Sequence, residues 1–65
     1  MSYREYINRM ELLVYLIDKE STGTAQELAN RLCVSRRTVF GYLSLLKDDG
    51  RTIRYSRKRR TYYFM

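Results

Sequence analysis

The stretch that most constrains the fold is residues 24 to 46, TAQELANRLCVSRRTVFGYLSLL, because it contains two helix starts only 11 residues apart. Thr24 and Glu27 have the spacing of a capping box, in which each side chain bonds to the backbone N–H of the other residue. Ser35 is a second residue of the type preferred at an N-cap. We therefore expect one helix to begin at Ala25 and another at Arg36, with a tight turn between them.

Apolar residues follow each helix start at one-turn spacing, which is the pattern of a helix that buries one face. In the first helix they are Leu28, Ala29 and Leu32; in the second they are Val39, Leu43 and Leu46, with Tyr42 and Leu45 flanking the same side. The patterns predict helices over about residues 25–33 and 36–49, and Gly50 can close the second in the left-handed conformation. The break between them has the length of the turn in a helix-turn-helix motif.

This motif and the residues after it, LANRLCVSRRTVFGYLSLLKDDGRTI, resemble the DNA-binding core of the bacterial winged helix-turn-helix regulators of the DeoR and biotin-repressor type. The pattern in those regulators is Leu-Ala-x-x-Leu-Gly-Val-Ser, then Arg-Arg-Thr-Val, then two apolar positions and a Gly before a strand. The residues that match are Leu28, Ala29, Leu32, Val34, Ser35, Arg36, Arg37, Thr38, Val39, Leu43, Leu46 and Gly50. The resemblance covers roughly residues 7–65.

The resemblance implies an α+β fold that is mainly α, in which a three-helix core is followed by a two-stranded β-hairpin, the wing. It implies one domain over residues 1–65 that binds double-stranded DNA in transcription regulation. Such domains usually lie at the N-terminus of a longer regulator. Because Phe64 and Met65 end the sequence inside a predicted strand, we expect this chain to be part of a longer protein.

Another helix is predicted before the motif, over about residues 3–20, because Ser2 and Glu5 form a further capping box. Its apolar stripe consists of Ile7, Met10, Leu13, Val14 and Ile17. One buried face does not require the additional residues Tyr3, Tyr6, Leu12, Tyr15 and Leu16. Leu12 and Leu16 either cover the sheet, or this surface contacts a second copy of the chain or a missing C-terminal domain. A short strand against the tail is a further expectation at residues 22–24.

Two β-prone segments of alternating character, about residues 52–56 and 61–65, predict the strands of the wing. Ile53, Tyr55, Tyr62 and Phe64 are expected to face the helices. Four consecutive cations, Arg57, Lys58, Arg59 and Arg60, form the tip, where wings of this type usually have Gly. Like charges in a tight turn repel one another. We therefore expect the tip to contact phosphate or the minor groove, the latter where A·T-rich sequence narrows the groove.

The charge of the chain is unevenly distributed. Residues 1–30 contain three Lys or Arg and five Asp or Glu, whereas residues 31–65 contain ten Lys or Arg and two Asp or Glu. An excess of eight positive charges in the half that holds the second motif helix and the wing is typical of a surface that binds a polyanion. Nucleic acid is the first candidate.

The outward face of the second motif helix is expected to enter the major groove of DNA. Arg36 and Arg37 can pair with guanine O6 and N7, or hold a phosphate without reading sequence. The candidates in this helix are Arg36, Arg37, Thr38, Phe40, Gly41, Ser44 and Lys47. Thr24 and Ser35 are candidates at the helix N termini, although capping alone accounts for Ser35. The candidates in the wing are Arg54, Arg57, Lys58, Arg59 and Arg60.

The chain departs from the pattern of the similar regulators in the turn and in the middle of the second motif helix, where Phe40, Gly41 and Tyr42 stand in place of two basic residues and an acid. Phe40 stands where a basic residue is usual, and it can contact either a thymine methyl group or a protein. Gly41 lies inside a helix, which suggests close approach to the DNA backbone or to another helix. Cys33 stands where the turn usually has Gly, so we expect it to adopt a strained positive φ. We interpret Cys33 as a small buried apolar residue rather than a redox group.

Other classes of function lack support in the sequence. There is no His and only one Cys, so we expect no enzyme activity, no metal and no cofactor, and no small-molecule ligand within this chain. The chain has no signal peptide and no apolar run long enough to span a membrane, and we expect a cytoplasmic protein. Two alternatives to DNA binding stay open. One is a protein-interaction module that uses the first helix and Phe40, and the other is RNA binding through the tyrosines of the wing.

Overall fold

The computed structural model describes residues 2–65, which form three helices followed by a two-stranded sheet. The elements are α1 (Tyr3–Asp18), α2 (Ala25–Leu32), α3 (Arg36–Asp48), β1 (Ile53–Ser56) and β2 (Thr61–Phe64). The predicted fold class, a helix-turn-helix core with a β-hairpin wing, is confirmed. Helix α1 stops before the predicted end because Lys19 is its C-cap and Glu20 adopts a left-handed φ of 54°.

Side-chain caps start all three helices at the predicted residues. Both reciprocal hydrogen bonds of the capping box are present at Ser2 with Glu5 and at Thr24 with Glu27. At α3 the Thr38 backbone N–H donates to Ser35 Oγ over 3.1 Å. Since the first backbone N–H groups of a helix have no intrahelical acceptor, these caps satisfy donors that would otherwise need water.

The core lies where the three helices and the first residue of β1 meet. Its buried side chains are Leu13, Leu16, Ile17, Leu28, Ala29, Leu32, Val39, Tyr42, Leu43, Leu46 and Ile53. The Tyr42 ring packs edge-on against Tyr6 at a centroid distance of 5.8 Å. One alternative for α1 was that Leu12 and Leu16 both cover the sheet. Leu16 is buried, as that alternative requires, whereas Leu12 is 41% exposed. The expectation that Leu45 flanks the buried side is wrong, because Val39, Tyr42, Leu43 and Leu46 already fill the face that α3 turns to the core.

The wing is an antiparallel hairpin in which Ile53 pairs with Phe64 and Ser56 pairs with Thr61. Ile53 is buried and Phe64 is partly buried, as predicted. Tyr55 is 37% exposed, so the expectation that it faces the helices is wrong. It lies two residues nearer the tip than Ile53, and its ring packs on Tyr62 at 4.8 Å instead of entering the core.

The wing is attached to the α1–α2 loop by side chains rather than by the short strand expected at residues 22–24. The Tyr62 backbone N–H donates to Thr22 Oγ1 over 2.9 Å, and the Thr22 backbone N–H donates to Thr61 Oγ1 over 3.2 Å. Thr22 and Thr61 are both buried, at 1% and 2% exposure. Their hydroxyls therefore satisfy backbone groups that a strand pairing would otherwise satisfy.

The turn between α2 and α3 contains Cys33 in the left-handed conformation, with φ 58° and ψ 42°, as predicted. Its side chain is exposed, so the interpretation of Cys33 as a buried apolar residue is wrong. Cys33 is the C-cap of α2 and lies beyond the helical residues Leu28, Ala29 and Leu32, which form the buried face of that helix.

Replacing Cys33 with Gly is expected to raise the melting temperature. Gly adopts positive φ at no steric cost, whereas a side chain there costs roughly 1 kcal/mol. In a domain of this size that difference corresponds to about 4–8 °C, measured by circular dichroism under reducing conditions. Cys33→Ala is the matched control, since it removes the thiol but keeps Cβ, and it should melt close to wild type. A Cys33→Gly variant that melts no higher than wild type would contradict strain at this position.

Candidate nucleic-acid interface

Helix α3 presents a continuous exposed face opposite the core. At 100° per residue, Arg37, Gly41 and Ser44 lie along its centre, and Arg36, Phe40 and Lys47 lie along one flank. All six residues are exposed. Six of the seven residues that were predicted as DNA contacts in this helix therefore lie together on one surface, and the exception is Thr38.

The remaining candidate of α3, Thr38, is partly buried, and its hydroxyl is already occupied. Thr38 Oγ1 lies 2.9 Å from Ser35 Oγ, which also caps the helix. Thr24 is occupied in the same way, because its hydroxyl accepts from the Glu27 backbone N–H. These hydroxyls stabilise helix ends. Thr24 Oγ1 accepts in its cap, and one hydroxyl of the Ser35 and Thr38 pair accepts from the other, so one O–H donor remains at each helix end for an external acceptor.

The first turn of α3 is more positive than the first turns of the other helices. Glu5 and Glu27 place a carboxylate near the positive N-terminal end of α1 and α2, but α3 has no acidic residue there and begins with Arg36 and Arg37 instead. Cations at this end oppose the helix dipole, at a cost of about 0.3–1 kcal/mol each. No ion pair within residues 2–65 involves either arginine. Both guanidinium groups are free to pair with an external anion.

Phe40 and Gly41 occupy the middle of the exposed face. Phe40 is 50% exposed and lies on the flank between Arg36 and Lys47. Gly41 is an exposed residue in the helix interior, where Gly costs about 1 kcal/mol relative to Ala. A Cβ built at Gly41 has no neighbouring atom within 4 Å. A close approach to another helix of this chain, one of the two explanations considered for Gly41, is therefore excluded for residues 2–65.

The four cations of the wing tip differ in their environment. The Arg59 guanidinium pairs with the Glu20 carboxylate and lies 5.3 Å from the centroid of the Tyr63 ring. Its backbone N–H also donates to Ser56 Oγ over 3.2 Å. Arg57, Lys58 and Arg60 are exposed and take part in no ion pair of the described chain. Glu20, which follows α1, thus engages Arg59, a difference among the four cations of the tip that the sequence did not indicate.

Two further arginines have structural contacts that sequence reasoning did not identify. Arg9 Nε donates to the Leu32 carbonyl over 3.1 Å, and Arg31 donates to the Ser21 carbonyl over 2.9 Å. Arg31 also lines a polar cleft of about 370 Å³ between the α1–α2 loop, α2 and the wing tip. No sequence spacing indicates these pairings, because each joins residues 10 or more positions apart.

The remaining candidate, Arg54, lies on the face of the hairpin away from the core, opposite Tyr63 in the sheet register. Close by, burial and the neighbouring Tyr55 raise the pKa of the Tyr62 phenol above its ordinary value. The phenol is therefore neutral near pH 7 and adds no negative charge beside the wing cations.

Between Ser2 and Met65 no group of three or more His, Cys, Asp or Glu side chains is arranged to hold a metal ion. None of the helices over that range is both long and apolar enough to cross a membrane.

The capped α2–turn–α3 unit, supported by α1 and followed by a hairpin, defines a winged helix-turn-helix domain. The family model HTH_11, described as an HTH domain, matches residues 8–64. The chain therefore belongs to this family of helix-turn-helix DNA-binding domains, and its role is that of a DNA-binding domain in transcription regulation. No curated protein and no solved structure shows a significant match to the chain.

Proposed function

We propose that this domain binds double-stranded DNA sequence-specifically, with α3 in the major groove and the wing on the backbone or in the minor groove. The observation that carries the proposal is the set of unpaired cations on one exposed face of α3 and at the wing tip, in a chain of a DNA-binding family. A surface that leaves its arginines without internal partners is suited to phosphate and base-edge contacts.

Within α3, the N-terminal residues are assigned to base reading. Arg36 and Arg37 project from the first turn, and the N-terminal residues of a recognition helix contact base edges. Each can pair bidentately with guanine, which gives about 1–3 kcal/mol of discrimination against a wrong base. Ser44 and Lys47, one to two turns later, are assigned to phosphate or base-edge contacts. Thr24 and Ser35 lie at the N termini of α2 and α3, where backbone N–H groups favour phosphate.

Phe40 is assigned to a thymine methyl group. Its position between Arg36 and Lys47 makes its surroundings cationic, and a cationic rim suits a polyanion better than the apolar centre of a protein interface. The apolar ring then contacts the one apolar group that the major groove displays.

In the wing, Arg57, Lys58 and Arg60 are assigned to phosphates or to the narrow minor groove of A·T-rich DNA, with Arg54 beside them. Arg59 is assigned a different role, since Glu20 and Tyr63 hold it against the body of the domain. The role of Arg59 is to fix the position of the tip, and it is not assigned a DNA contact.

The domain is further proposed to act within a regulator of the DeoR or biotin-repressor type that pairs through α1. Tyr15 and Leu12 are 57% and 41% exposed on the side of α1 away from the core. A second copy that covers them would bring two α3 helices together under two-fold symmetry, which suits a palindromic site.

The test compares binding of the wild-type domain to random duplex DNA and to single-stranded RNA of equal length by fluorescence anisotropy. A duplex complex with about five phosphate contacts should show a log-log salt slope near −4.5. That slope means an affinity loss of about 500-fold between 50 and 200 mM salt. Absence of duplex binding at low salt would contradict the proposal. Binding of the RNA alone would instead favour stacking of bases on the wing tyrosines.

A further inference from the structure

Gly41 is a residue whose presence the fold of this chain does not explain. It lies in the interior of α3 with four or more helical residues on each side, where Gly is the least favourable residue apart from Pro. The other two glycines have a conformational reason, because Gly23 and Gly50 adopt positive φ values of 72° and 95°. Gly41 is not among the positive-φ residues, so any L-residue fits its backbone conformation.

Packing does not explain Gly41 either. The residue is exposed, and a Cβ built there meets no atom of another residue within 4 Å. Alanine therefore fits this position without strain and improves the helix. The absence of a side chain becomes useful only if something outside the described chain lies against the helix backbone at this point.

The surroundings of Gly41 indicate what that partner is. Arg37 precedes it by one turn and Ser44 follows it by nearly one turn, so Gly41 is at the centre of the exposed face. Arg36 and Lys47 lie on the flank of the same face. Asp48, two turns after Gly41, is the acidic residue of that face, and three cations outnumber it. A second α3 helix packed there would bring two faces of net positive charge together, whereas a duplex would bring phosphates to the cations.

We propose that Gly41 is the point at which the α3 backbone comes closest to the floor of the major groove, and that it sets how deeply the helix enters. This inference rests on the proposed function. With no side chain at the centre of the face, the helix can move inward until its backbone meets the base edges. Arg37 and Phe40 then reach bases that they would not reach from a helix held further out. Gly41 is thus a positioning residue for base reading.

The experiment uses Gly41→Ala and Gly41→Leu with two probes. One probe is a labelled duplex selected from a random pool with the wild-type domain, and the other is an unrelated duplex of the same length. Gly41→Ala should raise the melting temperature by about 4–8 °C. It should also weaken binding to the selected duplex by about tenfold, and Gly41→Leu should weaken it further. Binding to the unrelated duplex should change little, because phosphate contacts dominate it.

Asn30→Ala is the matched control. Asn30 is an exposed residue of α2 whose side chain bonds to Gln26 of the same helix, and its replacement also improves helix propensity. This variant should melt higher than wild type and bind both probes as wild type does.

The outcomes separate the inference from the function on which it rests. If Gly41→Ala and Gly41→Leu bind the selected duplex as tightly as wild type, Gly41 is not a point of close approach and the inference is overturned, while DNA binding stands. A melting temperature of Gly41→Ala below that of wild type would also overturn it, since the position would then have an internal steric role. If wild type binds neither duplex, the proposed function itself fails.

Discussion

Replacing Arg57, Lys58 and Arg60 together with alanine is expected to remove more than half of the salt dependence of DNA binding while leaving the fold unchanged. These three cations are exposed and unpaired within the described chain, so their loss breaks no internal contact. Each phosphate contact contributes about 0.9 to the log-log salt slope, and the slope should therefore fall from near −4.5 to near −1.8. Fluorescence anisotropy at four or more salt concentrations measures this change, and circular dichroism checks the fold.

Two single variants serve as controls for the triple variant. Arg59→Ala removes a cation of the same tip, but one that Glu20 and Tyr63 already engage, and it should change the slope by clearly less than 0.9. Arg4→Ala removes an exposed cation of α1 away from the wing and should leave the slope unchanged. A triple variant with the wild-type slope would show that the wing does not contact phosphate. An Arg59→Ala effect as large as that of Lys58→Ala would show that Arg59 leaves Glu20 on binding.

Leu13→Ala is expected to unfold most of the protein at 25 °C. Leu13 is completely buried in the cluster where the helices meet, and such a truncation costs about 2–5 kcal/mol. The core of a domain of this size rarely supplies more than about 3–5 kcal/mol of net stability. The loss is therefore comparable with the whole free energy of unfolding. Far-ultraviolet circular dichroism during urea titration is the measurement.

The adjacent residue provides the control for Leu13. Leu12→Ala makes the same chemical change one position earlier in α1, where the side chain is 41% exposed. Its effect on the free energy of unfolding should stay within about 0.5 kcal/mol. A cooperative transition of Leu13→Ala near the wild-type urea midpoint would mean that the core does not depend on the contacts seen around α1.

The parts of the fold that sequence reasoning predicted correctly depend on local chemistry. The caps at Ser2, Thr24 and Ser35 involve residues three positions apart, and helix spacing assigns Val39 and Leu46 to one buried face. Leu45 and Tyr55 were misplaced for a common reason. Both side chains are largely apolar, but the core of a 65-residue chain has room for one face of α3 and for one end of the hairpin.

Sequence reasoning was less successful at the candidate site. Helix periodicity alone predicts that Arg37, Gly41 and Ser44 face outward, because the opposite face is apolar. It does not distinguish Arg59 from Lys58, since the difference arises from Glu20, 39 positions earlier in the chain. It likewise does not show that the hydroxyls of Thr38 and Ser35 lie against one another. Whether a polar residue is free to bind depends on tertiary contacts, which the spacing of residues in the sequence does not contain.

The hydrogen bonds of Thr22 with Thr61 and Tyr62 have a consequence for the DNA as well as for the protein. They attach β2 to the loop after α1, and Glu20 holds the tip through Arg59, so the wing has a fixed position relative to α3. If α3 and the tip contact DNA together, the protein sets the spacing of the two contacts, and any adjustment of shape falls to the duplex. Sequences that deform at low energetic cost, such as those with flexible pyrimidine–purine steps, would then bind more tightly even where no side chain touches a base.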